Sequence, residues 1–207
     1  VLTQRQTVLV AKQAAEVDIL TGGHFRLGVG LGWNKVEYQA LGEDFTTRGV
    51  RSEEQVELMR ALWTQQSVTF DGKWHHIDAA GINPMPVQQP IPVWFGGASD
   101  AVLRRTARMG DGWISSPQVQ TYEENKAMLG RLYSFAEEID RDPASIGIEG
   151  RTELVDHPTD ADVSTAFREW REMDVGTVTL STRSVGLDTP QQQMDALKHY
   201  KELADSL

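Results

Sequence analysis

Apolar residues along this chain recur in two rhythms, a helical spacing of three to four and the alternation of short strands, and the two take turns. Val8, Ala11, Ala15 and Ile19 fall on one helical face, with Thr7 placed to cap the start and Gly22-Gly23 to end it. Phe25, Leu27, Val29 and Leu31 then alternate as a strand, with Gly28, Gly30 and Gly32 between them and Trp33-Asn34 at the end. A loop follows over residues 34–49. Ser52 with Gln55 three positions on reads as a capping box opening a helix that carries Val56, Met59 and Trp63 on one face. Residues 67–77 alternate around Asp71-Gly72 as a β-hairpin, and Pro84, Pro86, Pro90 and Pro92 keep the chain extended after it. Residues 64–90 therefore read as a hairpin and proline-rich insertion.

Beyond residue 90 the alternation is regular. Residues 91–95 form a buried strand, Gly96-Gly97-Ala98 a tight turn, and Ser99 caps a helix with Val102, Leu103, Thr106 and Ala107 inward. Residues 111–115 give the next strand. Thr121 with Glu124 opens a helix with Leu129, Leu132, Ala136 and Ile139 on its core face. A strand over 146–155, interrupted by Gly147 and Gly150, leads to a helix begun by Thr159 with Asp162, on which Val163, Phe167 and Trp170 align. The last strand spans 176–180. Thr189-Pro190 with Gln192 starts the last helix, carrying Met194, Leu197, Tyr200 and Ala204.

Strands that alternate with helices across short turns imply parallel βαβ units, because parallel neighbours need a crossover. Five strands are each followed by a helix, and the leading helix calls for a strand before it. The expected fold is an α/β (β/α)8 barrel in one domain, 1–207, with its first three strands absent from this chain and strands 4 to 8 present. On this count Val1-Leu2-Thr3 is the tail of the third strand. The 207 residues also fall short of the roughly 250 of a typical complete barrel. An open doubly wound sheet is the alternative and needs no missing piece. Against it, the glycine motif is GxGxG followed by a long loop, not GxGxxG opening a helix.

Composition narrows the function. Thirty acidic against twenty basic residues give a net charge of −10, which argues against nucleic-acid or anionic-membrane partners. The absence of cysteine excludes disulfides, thiolate metal sites and thiol catalysis, and a cytoplasmic location is expected. No apolar run reaches membrane-spanning length. His157 and His199 lack companions at metal-ligand spacing, so no metal site is expected. Glycines at period two in a strand cost backbone entropy and suggest a large neighbour, either a barrel interior or a flat ligand. A tightly packed strand ending in a core tryptophan fits the same residues.

The segments Ala11-Lys12-Gln13-Ala14-Ala15, the run from Gly22 to Asn34, the run from Glu37 to Gly42, Pro92-Val93-Trp94-Phe95-Gly96-Gly97 and Gly110-Asp111-Gly112-Trp113 together resemble the bacterial luciferase-like monooxygenase superfamily. Within it the resemblance is nearest to oxidoreductases that use the deazaflavin coenzyme F420. It implies a barrel with a flavin-type ring at its C-terminal mouth, bent against a bulge at the end of the third strand. Of that strand only Val1-Leu2-Thr3 is present, so Val1 and Thr3 are expected cofactor contacts. Barrel sites lie at the C-terminal ends of strands. This adds Gly32, Trp33 and Asn34, the turn Gly96, Gly97, Ala98 and Ser99 at a helix N-terminus suited to a cofactor phosphate, and Ser115. Where the sugar-phosphate dehydrogenase branch has an acidic proton donor after the glycine strand, this chain has Trp33, which weakens a sugar-dehydrogenase reading. Gly28 and Gly30 are expected to serve packing between strands. His75 and His76 read as structural or exposed, and no catalytic acid or base is assigned.

The expected activity is hydride transfer between F420 and a small organic substrate, with FMN-dependent monooxygenation using O2 as the alternative cofactor chemistry. A non-catalytic flavin-binding or subunit protein, and a phosphate-handling barrel without redox chemistry, are the other readings. A homodimer is expected.

Overall fold

The computed structural model describes residues 1–116, 121–183 and 185–207. The chain divides into two compact units, Val1–Phe95 and Gly96–Leu207.

In the first unit a single 3-10 turn, Leu2–Gln4, precedes helix α1, Thr7–Leu20. Leu2 and Thr3 thus lie in a turn with Val1 just before it, and not in the expected strand tail, although Leu2 N–H still donates to the Gly30 carbonyl in a strand-like bond of 3.1 Å. Strand β1, Leu27–Val29, leads through a short helix α2, Lys35–Ala40, to helix α3, Arg48–Thr64. The hairpin is β2, Val68–Asp71, and β3, His76–Ala80, antiparallel and separate from the main strands. Strand β4, Val93–Gly96, pairs in parallel with β1, Leu27 opposite Val93 and Val29 opposite Phe95.

Helices α1 and α3 pack through Ala11, Ala14 and Ala15 against a face of α3 that buries Val56, Met59, Leu62 and Trp63. Alanines let the helix axes come close, and Trp63 Nε1 donates to the Ala11 carbonyl across 2.9 Å. The expected inward face of α1 is half right. Ala11 and Ala15 are buried, but Val8 and Ile19 are exposed, and the buried residue near the C-terminal end is Asp18. Its carboxylate accepts from Gln88 N–H at 2.8 Å and Gln88 Nε2 at 2.6 Å, which ties the proline-rich segment to the helix.

The second unit carries helix α4, Asp100–Met109, strand β5, Gly112–Ile114, helix α5, Tyr122–Glu137, strand β6, Gly147–Glu153, helix α6, Asp160–Glu172, strand β7, Thr177–Ser181, and helix α7, Pro190–Asp205. β5, β6 and β7 pair in parallel, Ile114 opposite Glu149 and Glu149 opposite Thr177. Their helical side is a core of Leu103, Trp113, Met128, Leu129, Leu132, Ile146 and Trp170. Gly150 is required here, since a Cβ on it would lie 2.5 Å from the Trp170 ring. Helix α7 departs from expectation, with Met194 and Leu197 exposed. Ile139 lies beyond the end of α5 and is exposed too.

Candidate functional site

The predicted contacts fall into two sets, one in each unit, and each has its own geometry. In the first unit the end of the glycine strand is held from below by Tyr38, which is buried and hydrogen-bonds both the Leu31 carbonyl and the Thr3 hydroxyl. That places Thr3 beside the strand end, with its hydroxyl engaged. Gly32 has φ +71°, and a Cβ there would meet Val1 Cγ2 at 3.1 Å, so Val1 and Gly32 are in contact. Gly30 shows no such crowding. A Cβ on it would meet nothing within 4 Å, so packing does not account for that glycine.

Trp33 is 86% exposed, its indole on the surface of the unit and not in its core. Asn34 caps α2, its Oδ1 accepting from Val36 N–H at 3.1 Å while its Nδ2 donates to Glu37 Oε1 at 3.1 Å. Asn34 is among the expected cofactor contacts. The start of α2 now accounts for its hydrogen bonds.

In the second unit β4 ends in Gly96, and the turn opens α4. Gly97 sits at φ +138°, a backbone that side chains rarely adopt, and Trp113 Nε1 donates to its carbonyl across 2.8 Å. Trp113 is fully buried, so the turn is pinned from the core side. A Cβ on Gly96 would find only Ile114 of β5, at 3.9 Å, which leaves its outer side open. Ser99 is the N-cap residue of α4, yet its hydroxyl makes no capping bond. Its carbonyl accepts from Val102 N–H and Leu103 N–H, which leaves the Asp100 and Ala101 N–H groups at the helix start to face an anion. Asp100 in that first turn opposes an anion, with Arg131 Nε 3.6 Å away to offset it. At the end of β5, Ser115 is buried with its N–H on the Glu149 carbonyl, and its Oγ has no partner among the described residues. A buried hydroxyl without a partner beside an open glycine turn and an uncapped helix start is a fit for a ligand oxygen.

Strand β6 carries a feature the sequence reading missed. Because Gly150 faces Trp170 on α6, the alternate residues Glu149, Arg151 and Glu153 share the opposite face. Thr179 Oγ1 donates to Glu149 at 2.5 Å, and Arg151 Nε to Glu153 at 2.5 Å. Burial alone would push the Glu153 carboxyl up, but hydrogen bonds from Ser181 and Arg151 and the charges of Arg151 and Arg183 hold it below the ordinary glutamate value. The signal in the sequence is the period-two alternation of Glu, Arg and Glu between Ile148, Gly150 and Thr152. Among the described residues no cluster of three or more His, Asp or Glu is arranged to hold a metal ion, and no helix is long and apolar enough to cross a membrane.

Residues 1–206 match the model of the luciferase-like monooxygenase family. An uncharacterised protein of Mycobacterium tuberculosis (strain ATCC 25618 / H37Rv) is 41% identical over 110 residues, 53% of this chain and 38% of that protein. The FMNH(2)-dependent dimethylsulfone monooxygenase of Pseudomonas putida is 35% identical over 112 residues, 52% of this chain and 31% of that enzyme. The coenzyme F420-dependent tetrahydromethanopterin reductase of Methanopyrus kandleri shares the fold, with a TM-score of 0.62 at 15% identity over 82% of this chain and 60% of that one. The aligned stretches thus span less than half the length of these two curated relatives. The α/β architecture is that of the luciferase-like barrels, and the chain belongs to the luciferase-like monooxygenase family.

Proposed function

We propose that this chain is an oxidoreductase that transfers hydride between coenzyme F420 and a small organic substrate. The observation that carries the reading is the Ser115 hydroxyl, without a partner among the described residues, next to the Gly96-Gly97 turn and the start of α4, in a chain of this family. There the helix amides, the Gly97 amide and the hydroxyls of Ser99 and Ser115 would hold a cofactor phosphate, with Ala98 leaving the approach uncrowded. In the first unit Trp33 offers an exposed aromatic face, and Val1 and Gly32 shape the strand end next to it. The bound coenzyme would supply the hydride chemistry, and the protein binds and orients. Glu149 and Arg151, on the face of β6 turned from α6, are the groups proposed to orient a polar atom of the substrate. A homodimer belongs to the same reading and is checked by light scattering.

The similarity to an FMNH(2)-dependent enzyme supports a second reading, in which bound reduced FMN would supply the oxygen chemistry of a monooxygenase. Titrating the protein with F420 and with FMN, oxidised and reduced, separates them. F420 is expected to bind, and its reduced form to reoxidise on addition of a substrate carbonyl. Binding of FMN alone transfers the assignment to the second reading, and binding of neither removes both. Gly97→Val is a poor probe of the phosphate contact, because its positive φ strains any side chain and Val102 lies 3.3 Å from the new Cβ. Gly96→Ala fits the fold, so a loss of cofactor affinity in that variant reports on the contact itself.

A further inference from the structure

A cavity of about 730 Å³ opens in the first unit where the start of α1, the middle of α3 and the hairpin turn meet. Its volume is that of a small-molecule site. One wall is locked in place. Glu54 Oε1 accepts from the Trp74 and His75 amides and from His75 Nδ1 at 2.7 Å, while Oε2 accepts from Lys73 N–H. With the proton on Nδ1, His75 Nε2 takes the Thr7 hydroxyl at 2.6 Å, and Thr7 Oγ1 in turn accepts from Gln55 Nε2 at 2.9 Å. Gln55 Nε2 also donates to the Arg5 carbonyl, so both its hydrogens are spent.

Two polar atoms of residues that line this cavity are left over. Gln55 is 2% exposed and Arg51 8% exposed, and both line the cavity. They stand four apart on α3, so they share a face. Gln55 Oε1 and Arg51 Nε are both buried without a partner among the described residues. The first asks for a donor and the second for an acceptor. The other groups sort the candidates. Arg51 is paired with Glu43, and Lys12 with Glu16, while the Arg5 guanidinium has no acidic partner among the described residues. On a chain of net charge −10 this leaves a locally positive cavity, which favours one carboxylate and disfavours an ammonium. Val8, Leu9 and Trp74 supply apolar surface.

We propose that this cavity binds a 2-hydroxycarboxylate with an apolar chain. The carboxylate meets Arg5 and Arg51 Nε, the hydroxyl donates to Gln55 Oε1, and the chain lies against Val8, Leu9 and Trp74. The site is independent of the redox reading, and calorimetric titration of the cofactor-free protein tests it.

The probe is 2-hydroxyisocaproate, with isocaproate lacking the hydroxyl and leucine carrying an ammonium in its place. The hydroxy acid is expected to bind saturably at one site. Isocaproate should bind about tenfold more weakly, because it leaves Gln55 Oε1 unpaired. Arg5→Ala should weaken both acids, and Gln55→Met should erase the difference between them. Val8→Trp, at an exposed position that fills the mouth, should abolish binding without lowering the melting temperature. Equal affinity for the two acids, preference for leucine, absence of saturable binding, or unaltered binding in Val8→Trp each overturns the proposal.

Discussion

Trp113 illustrates how one side chain serves core and site together. Its ring fills the centre of the second unit's core, and its Nε1 fixes the Gly97 carbonyl. Trp113→Phe keeps most of the apolar contact but leaves a cavity and an unpaired, half-buried carbonyl, a loss of about 2 kcal/mol. Urea unfolding measures that loss, and cofactor titration of the same variant is expected to show weaker binding as the turn relaxes. Unchanged affinity in a destabilised variant would detach the turn from the cofactor. Nothing in the sequence discloses such bonds. Asp18 and Gln88 are 70 positions apart, and a buried aspartate on an otherwise apolar helix face reads from sequence as an exposed one. The same holds for Gln55, whose partner Thr7 arrives from another helix.

Secondary elements were more legible, because their signals are local. The boxes Thr121/Glu124, Thr159/Asp162 and Thr189/Gln192 all form, each with reciprocal bonds between the capping hydroxyl and the third helical residue. Ser52/Gln55 has the same form and fails. Helix α3 begins one turn earlier at Arg48, after a 3-10 turn capped by Asp44, so Ser52 lies inside it and donates to the Gly49 carbonyl. A capping string therefore marks a start only where no helix is already running. Thr7 also reads as a cap but is the first helical residue, its hydroxyl committed to His75 and Gln55. Strand β6 gives the element-scale prediction. Its backbone lies directly under Trp170, and a methyl at residue 150 must displace the indole from the core. Gly150→Ala should cost about 1–3 kcal/mol by overpacking, despite the better intrinsic fit of alanine to a strand. Gly130→Ala, in α5 where a Cβ meets nothing, should stabilise by up to about 1 kcal/mol, and paired thermal melts compare the two.

At the scale of the whole molecule the βαβ order was legible because each crossover is announced by its own turn and cap. The hydrogen bonds inside each predicted site set were not, since Tyr38 reaching Thr3 and Trp113 reaching Gly97 are contacts that no local pattern encodes. The ionisation of the molecule is likewise a property of the fold. Two glutamates, Glu54 in the first unit and Glu153 in the second, are largely buried, with side chains 12% and 11% exposed. Burial pushes each carboxyl up, and the bonds from His75, Trp74 and Lys73 at Glu54, and from Ser181 and Arg151 at Glu153, outweigh it. Both therefore titrate below the ordinary value of 4.5 when folded. A depressed folded pKa means that the unfolded chain takes up protons first as the pH falls, so the stabilisation is complete above about 5.5 and drains away below 4.5, through the folded values. Urea midpoints are expected to hold level between pH 7 and about 5.5 as far as these groups decide, and to fall steeply toward pH 3. Glu54→Gln removes one of the two groups and sets an amide donor against the Lys73 or Trp74 N–H. It should lower stability at pH 7 by about 2 kcal/mol and flatten the acid slope. A variant that loses stability at neutral pH yet keeps the full slope would assign the acid sensitivity to other carboxylates.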